Sequence, residues 1–204
     1  MELRPYQNEA VEAVKNEWKA GHRKTLLVLP TGCGKTICFA KVVADTVRDG
    51  GRALILAHRG ELLQQAADKL KRSTGIDSAL DKADSHGADS MFPVVVGSIQ
   101  TLMRENRLQE YDPDHFRTIV VDEAHHALSE SYKKVLGYFN ANVLGVTATP
   151  DRGDMKNLGE YFESLAYEYT LPKAIREGFL CPIKAQTIPI NIDLTKVRTQ
   201  QGDY

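Results

Sequence analysis

Cysteine is scarce in this chain. Of its 204 residues only Cys33, Cys38 and Cys181 are cysteines, and their spacing fits neither a disulfide framework nor a zinc site. The six histidines are scattered. Only His125 and His126 adjoin, and neighbours in sequence point in divergent directions, so no metal site made by protein alone is expected. Long apolar runs are also missing. The longest, Thr25–Leu29 and Ala53–Ala57, fall far short of the about 20 residues that a membrane-spanning helix needs. Met1 leads into Glu2-Leu3-Arg4-Pro5 without the charged-then-apolar pattern of a secretory signal. A cytoplasmic protein with no membrane partner is therefore expected. A basic excess is absent too. The formal net charge is −1, whereas a protein that holds DNA mainly by releasing counterions is strongly basic. Any nucleic-acid contact must be local or must need more chain. At 42% hydrophobic and 26% charged residues, the composition is enough to bury a real core, which excludes disordered and fibrous classes. The length suits one domain, or one domain and the start of a linker.

The residues that are present repeat a strand–turn–helix pattern, which implies a mostly parallel central sheet with helices on both faces, an α/β fold. Pro5 opens a helix carrying Ala10, Val11, Val14 and Trp18 at helical spacing, and Gly21 stops it. Thr25–Leu29 is a continuous apolar run, as in a strand buried on both sides. Lys35–Arg48 follows as a helix ending at Gly50-Gly51. Ala53–Ala57 is a strand, Glu61–Ser73 a helix, and Asp81–Ser90 a polar surface loop. Strands are expected at Val94–Val96, Thr118–Val121 and Val143–Val146, with helices at Ile99–Arg104 and Ser131–Phe139. The pattern loosens through Leu158–Phe162. It closes with a strand at Ala166–Tyr169, a helix at Lys173–Glu177 and a strand at Lys184–Ile190. The domain is expected to span residues 1–190, and the polar stretch 191–204 to begin a linker.

The strongest local signal is Pro30-Thr31-Gly32-Cys33-Gly34-Lys35-Thr36, between a strand and a helix, where a phosphate-binding loop belongs. Gly32 and Gly34 let the backbone curl so that amide N–H groups face phosphate oxygens, and the helix adds its positive end. Lys35 can reach the β- and γ-phosphates of ATP, and the Thr36 hydroxyl can bind Mg²⁺. Thr31 and Cys33 complete the loop. Leu29 stands where the general pattern has its first glycine. The plainer alternative is a glycine-rich turn that merely starts a helix. A thiol at a helix start can have a lowered pKa, and on that ground Cys33 is expected to be reactive. The second signal is Val120-Val121-Asp122-Glu123-Ala124-His125. A buried strand running into two carboxylates delivers them to the carboxyl edge of the sheet, where ligands bind in such folds. Asp122 would hold Mg²⁺, and Glu123 would orient and deprotonate the water attacking the γ-phosphate. Lys35, Asp122 and Glu123 are the candidate catalytic residues.

These segments, with Thr147-Ala148-Thr149-Pro150, stand in the order and spacing of motifs I, II and III of superfamily 2 helicases and translocases of the DEAD/DEAH-box type. The chain resembles the first RecA-like domain of that superfamily over nearly its whole length. Thr147 and Thr149 would then link nucleotide state to grip on nucleic acid, although their hydroxyls also suit local turn amides. Leu3-Arg4-Pro5-Tyr6-Gln7 looks like the upstream adenine-reading element. Gln7, whose amide offers a donor and an acceptor, would pair with the base, with Arg4 packing nearby; read alone, Gln7 would face solvent. Ala57-His58-Arg59 looks like motif Ia and Gly97-Ser98-Ile99-Gln100-Thr101 like motif Ib. Their resemblance implies that Arg59, Gly97, Ser98 and Thr101 touch the nucleic-acid backbone, against the plainer reading of Arg59 as a surface charge. His125 would couple motifs or domains, or is simply a satisfied buried histidine.

The Arg-Pro-Tyr-Gln opening, Thr147–Arg152 and Ala174-Ile175-Arg176-Glu177-Gly178-Phe179-Leu180 resemble the branch holding the motors of type I and III restriction enzymes and RadD-like repair proteins. DNA is thus the favoured partner, with RNA possible. The resemblance implies an ATP hydrolase that needs a second RecA-like domain of the same parent chain. Nothing after Pro150 resembles such a domain, so the chain is expected to be part of something longer and weakly active alone. An RNA helicase, and a nucleotide-regulated nucleic-acid-binding switch that does not translocate, are the alternatives.

Overall fold

Strand and helix alternate from the first turn, and the order in which the strands pair decides where their ends meet. The computed structural model describes residues 2–57, 60–82, 85–148 and 152–184, with the backbone alone at 60–62 and 152–156. Helix α1 (Pro5–Lys19) leads to β1 (Lys24–Val28), α2 (Lys35–Arg48), β2 (Ala53–Ala57), α3 (Gly60–Thr74), β3 (Ser78–Asp81) and β4 (Val94–Ser98). Two short helices, α4 (Ile99–Leu102) and α5 (Glu105–Leu108), precede β5 (Thr118–Asp122) and a 3₁₀ turn at Ala124–Leu128. Then come α6 (Glu130–Tyr138), β6 (Asn142–Thr147), α7 (Arg152–Tyr161), β7 (Ser164–Glu168) and α8 (Leu171–Arg176).

The seven strands form one sheet in the order β3-β4-β2-β5-β6-β1-β7, and every pairing is parallel. Successive side chains of a strand point to opposite faces, and the core follows that alternation. Leu27, Ile55, Val94, Val96, Val120, Leu144 and Val146 pack with α1, α2, α3 and α8 on one face. Leu26, Val28, Leu54, Leu56, Val95, Ile119, Val121 and Val143 pack with α4, α5, α6 and Leu158 of α7 on the other. Covering both faces is what makes these strands read as unbroken apolar runs.

The expected α/β architecture is therefore present, with differences in detail. The stretch 81–90 was expected to be loop throughout, but Asp81 closes an edge strand, β3, that pairs with β4. Ser78-Ala79-Leu80-Asp81 is too short and mixed to show as an apolar run; its partner makes it a strand. Where the pattern loosened after Asp151 the chain forms α7, whose periodicity is masked by Gly153 and Gly159 and whose clear core residue is Leu158. The expected strand Ala166–Tyr169 lies two residues earlier in its start, as β7, with a register shift against β1 between Leu26 and Leu27. Lys184 is not in a strand. The remainder of the expected strand 184–190, and the linker 191–204, lie outside the described residues, as do Arg59 and Thr149. Among the described residues no helix is long and apolar enough to cross a membrane.

Candidate nucleotide site

The strand register assembles the site. Strands β1, β6 and β5 are adjacent. Val28 pairs with Thr147, and Val146 with Asp122, so the ends of the three strands carrying the sequence motifs lie side by side. The Leu29 N–H donates to the Thr147 carbonyl at 3.1 Å, and the Leu29 side chain is fully buried. Leu29 therefore prolongs β1, and the loop begins at Pro30, which explains why a glycine is not needed at that position.

Gly32 and Gly34 have φ of 88° and 78°, the left-handed region that a side chain disfavours. Gly34 caps α2 with no side-chain partner of its own. A Cβ on Gly34 would lie 2.5 Å from Gln7 Nε2, so the loop leaves no room for a larger residue. Lys35 and Thr36 follow as the first residues of α2 and are half-buried, while Thr31 and Gly32 are exposed. Gln7, at 5% exposure, is not a solvent-facing residue of α1. Its Nε2 donates to the Cys33 carbonyl at 3.1 Å, and its Oε1 accepts from the Arg4 N–H at 3.0 Å. The start of α1 and the Pro30–Thr36 loop are thus in direct contact.

Cys33 corrects an expectation. Its side chain is fully buried in the core, and burial pushes the thiol up. That cost outweighs the Tyr6 hydroxyl and the charges of Arg4 and Lys35, which act the other way. The residue is a packed apolar group, without the activated thiolate expected at a helix start. Cys38, also fully buried, is pushed up to about 12 by burial and by Cys33.

At the end of β5, burial and then the neighbouring Glu123 raise the Asp122 carboxyl above its ordinary value, against the Glu123 N–H, Lys35 and Lys69. The Glu123 N–H donates to Asp122 Oδ1 at 3.0 Å. Glu123 has φ 55°, the only positive φ outside glycine among the described residues. Such a conformation costs about 1–3 kcal/mol and gathers at functional sites. It turns the chain sharply from β5 into the 3₁₀ turn and leaves the Glu123 side chain half exposed. His125 Nδ1 lies 3.8 Å from Glu123 Oε2, and the His125 and His126 rings are 4.2 Å apart. His125 is half exposed, so the reading of it as a buried histidine does not hold.

One pocket joins the two motifs. It is lined by Thr36, Asp122, Glu123, His126, Gln65 and Lys69, over an apolar floor of Phe39, Ile55 and Leu56. Thr36 and Asp122 therefore offer two hard oxygen ligands to one space, with a second carboxylate beside them, a donor set that suits Mg²⁺. Among the described residues no group of three or more His, Cys, Asp or Glu could hold a metal; an ion here would have to share its ligands with phosphate and water. Gln65 and Lys69 of α3 were not singled out from sequence. They reach the site only because α3 crosses from β2 to β3, and no local pattern in the sequence announces that.

Of the four residues expected at nucleic acid, Arg59 lies outside the described residues and the other three are not exposed. Gly97, Ser98 and Thr101 are buried. A Cβ on Gly97 would lie 2.5 Å from Leu102 Cδ1 and 3.2 Å from Leu54 Cδ1, so that glycine has a packing role. Thr147 is buried at 4% exposure.

Fold and site together define a RecA-like domain of the superfamily 2 helicases and translocases. Residues 1–152 match the profile of the family described as "Type III restriction enzyme, res subunit", and the chain belongs to that family. It is 32% identical over 219 residues to the "Putative ATP-dependent helicase IRC3" of Saccharomyces cerevisiae, covering 99% of this chain and 31% of that protein. It is 29% identical over 205 residues to the Escherichia coli type I restriction enzyme EcoAI endonuclease subunit, covering 96% of this chain and 25% of that protein. Among solved structures, a nuclease-deletion mutant of the type ISP restriction-modification enzyme LlaGI, in complex with a DNA substrate mimic, superposes with TM-score 0.69 at 19% identity, covering 88% of this chain and 21% of that one. The chain thus spans about a third or less of the length of these relatives.

Proposed function

We propose that this domain binds ATP with Mg²⁺ and supplies the water-activating half of a DNA-dependent ATPase motor. The observation that carries this reading is the adjacency of β1, β6 and β5, which places the phosphate loop beside Asp122 and Glu123. Loop amides and Lys35 would hold the β- and γ-phosphates. Thr36 and Asp122 would hold Mg²⁺, which neutralises phosphate charge when bound. Glu123, set by its backbone conformation and half exposed, would orient the attacking water and take its proton. Closure against a second RecA-like domain of the parent chain would add the cations that stabilise charge on the transferring phosphoryl group. In related chemistry one such arginine is worth about 10³–10⁵ in rate. DNA is preferred to RNA because the LlaGI structure holds a DNA substrate mimic and the family is that of restriction enzymes. Thr147, whose carbonyl accepts from the Leu29 N–H at the root of the loop, would link nucleotide state to motif III, of which it is the first residue.

The test is steady-state ATP hydrolysis by the full-length parent protein, alone and with duplex DNA, single-stranded DNA or RNA, alongside Glu123→Gln. Stimulation by DNA and loss of turnover in Glu123→Gln, with nucleotide binding kept, are expected. Stimulation by RNA alone would overturn the substrate. Binding without stimulation by any nucleic acid would point to a nucleotide-regulated switch.

A further inference from the structure

Two side chains converge on one carbonyl of the phosphate loop. The Tyr6 hydroxyl and the Gln7 amide both donate to the Cys33 carbonyl, at 3.0 and 3.1 Å. Because a peptide unit is planar and trans, holding the Cys33 carbonyl on one side fixes the Gly34 N–H on the other. An N–H kept out of the protein interior in this loop is what a phosphate needs. In the Leu3–Gln7 segment Gln7 is the residue expected to pair with the base, whereas its neighbour Tyr6 carries no expected role and is buried at 3% exposure.

Tyr6 is in turn clamped from the far end of the domain. Its ring lies flat against Tyr169, with centroids 4.2 Å and planes 4° apart, and meets the Phe179 ring edge-on at 4.8 Å. Arg4 sits over the Phe179 ring at 5.2 Å and donates to the Tyr6 hydroxyl at 3.2 Å. Gly178, with φ 76°, ends α8 and turns the chain back, so that the Phe179 and Leu180 N–H groups both donate to the Ala174 carbonyl. This turn brings Leu180 onto the loop itself. A Cβ on Gly32 would lie 3.0 Å from Leu180 Cδ2.

We propose that Tyr6 is a positioning residue for the phosphate loop, clamped by Tyr169 and Phe179, and that Leu180 on Gly32 makes the Gly178–Leu180 turn respond to nucleotide in the loop. This rests on the reading that the loop binds nucleotide. A phosphate drawn into the loop changes the backbone on which Leu180 rests, and the displacement passes to Cys181, the exposed residue that follows.

The experiment uses the chain as it stands, with ADP·Mg²⁺ as the probe. Affinity is measured by calorimetric titration, and the rate of maleimide labelling of Cys181 is followed with and without nucleotide. Cys33 and Cys38 are buried, so Cys181 is the thiol that reports. Tyr6→Phe keeps the ring stack and deletes the hydroxyl; it is expected to bind about tenfold more weakly, the value of one hydrogen bond, with its nucleotide-free melting temperature near wild type. Saturating ADP·Mg²⁺ is expected to change Cys181 labelling several-fold in wild type. In Leu180→Ala the labelling rate is expected to be indifferent to nucleotide that still binds. Wild-type affinity in Tyr6→Phe, or wild-type labelling unchanged by saturating nucleotide, overturns the proposal. Binding that is lost in Lys35→Ala yet equal in wild type and Tyr6→Phe overturns the proposal and leaves the nucleotide reading standing. No binding by wild type overturns the nucleotide reading, and the brace with it.

Discussion

The glycines of the loop and the buried thiols of Cys33 and Cys38 define what individual residues can do. Lys35 is the residue whose loss separates a phosphate site from a mere turn. A ligand that binds only the folded state stabilises it by about 2.7 kcal/mol at a hundredfold excess over Kd. ADP·Mg²⁺ is therefore expected to raise the melting temperature of the wild-type chain and to have little effect on Lys35→Ala, as differential scanning fluorimetry would show. An equal shift in both would mean that nucleotide sits elsewhere. The cysteines make a second prediction. Cys181 is exposed, whereas Cys33 and Cys38 are buried with thiols pushed up by that burial. Titration with a thiol reagent is expected to label Cys181 promptly, and Cys33 and Cys38 only as the protein unfolds. Prompt modification of Cys33 in folded protein would contradict the packing. That expectation reverses the one drawn from the sequence. The sequence shows Cys33 beside a helix start, but not that its side chain turns inward while its carbonyl accepts from Tyr6 and Gln7.

At the scale of elements, close approach rather than turn geometry explains Gly97. A methyl group there would press on Leu102 and Leu54, and α4 packs against β4 through that contact. Gly97→Ala is expected to destabilise the chain by about 1–3 kcal/mol, as overpacking does, which a urea titration would read as a lower midpoint at unchanged slope. Elements of this kind show how far the sequence carries. Strand β2 and helix α2 have the bounds expected of them, because a parallel strand covered on both faces is apolar throughout and a helix between glycines is clearly marked. Strand β3 and helix α7 were missed or blurred. The first exists through its pairing with β4, and the second has Leu158 as the one fully buried residue among its described side chains. The site divides in the same way. The meeting of the Pro30–Thr36 loop with the Asp122-Glu123 pair was legible because each motif is contiguous at a strand end. Tyr6, Gln65 and Lys69 were not, since their meeting with the loop or pocket depends on packing between distant segments.

For the whole molecule, global stability is expected to depend on pH through His115. Burial first, and then the Arg52 charge, hold this imidazole below its ordinary value of 6.5. The folded pKa lies below the unfolded one, so the unfolded chain takes up the proton first. Stability is full above about pH 6.5 and is lost as pH falls from there through the folded pKa. Urea unfolding of wild type and His115→Gln across that window is expected to show a smaller decline in the variant; parallel curves would exclude His115 as the source. The strand order has a consequence for the time course of synthesis. Strand β1 ends at Val28, yet its two neighbours, β6 and β7, begin at Asn142 and Ser164. At about 5–20 residues per second on the ribosome, β1 emerges on the order of ten seconds before either flank exists. Until then it exposes both rows of unpaired amides and carbonyls beside an apolar Thr25–Val28 face, the condition that invites mispairing with another chain. The Pro30–Thr36 loop, grown from the end of that strand, is accordingly expected to be among the last parts of the domain to acquire a stable shape.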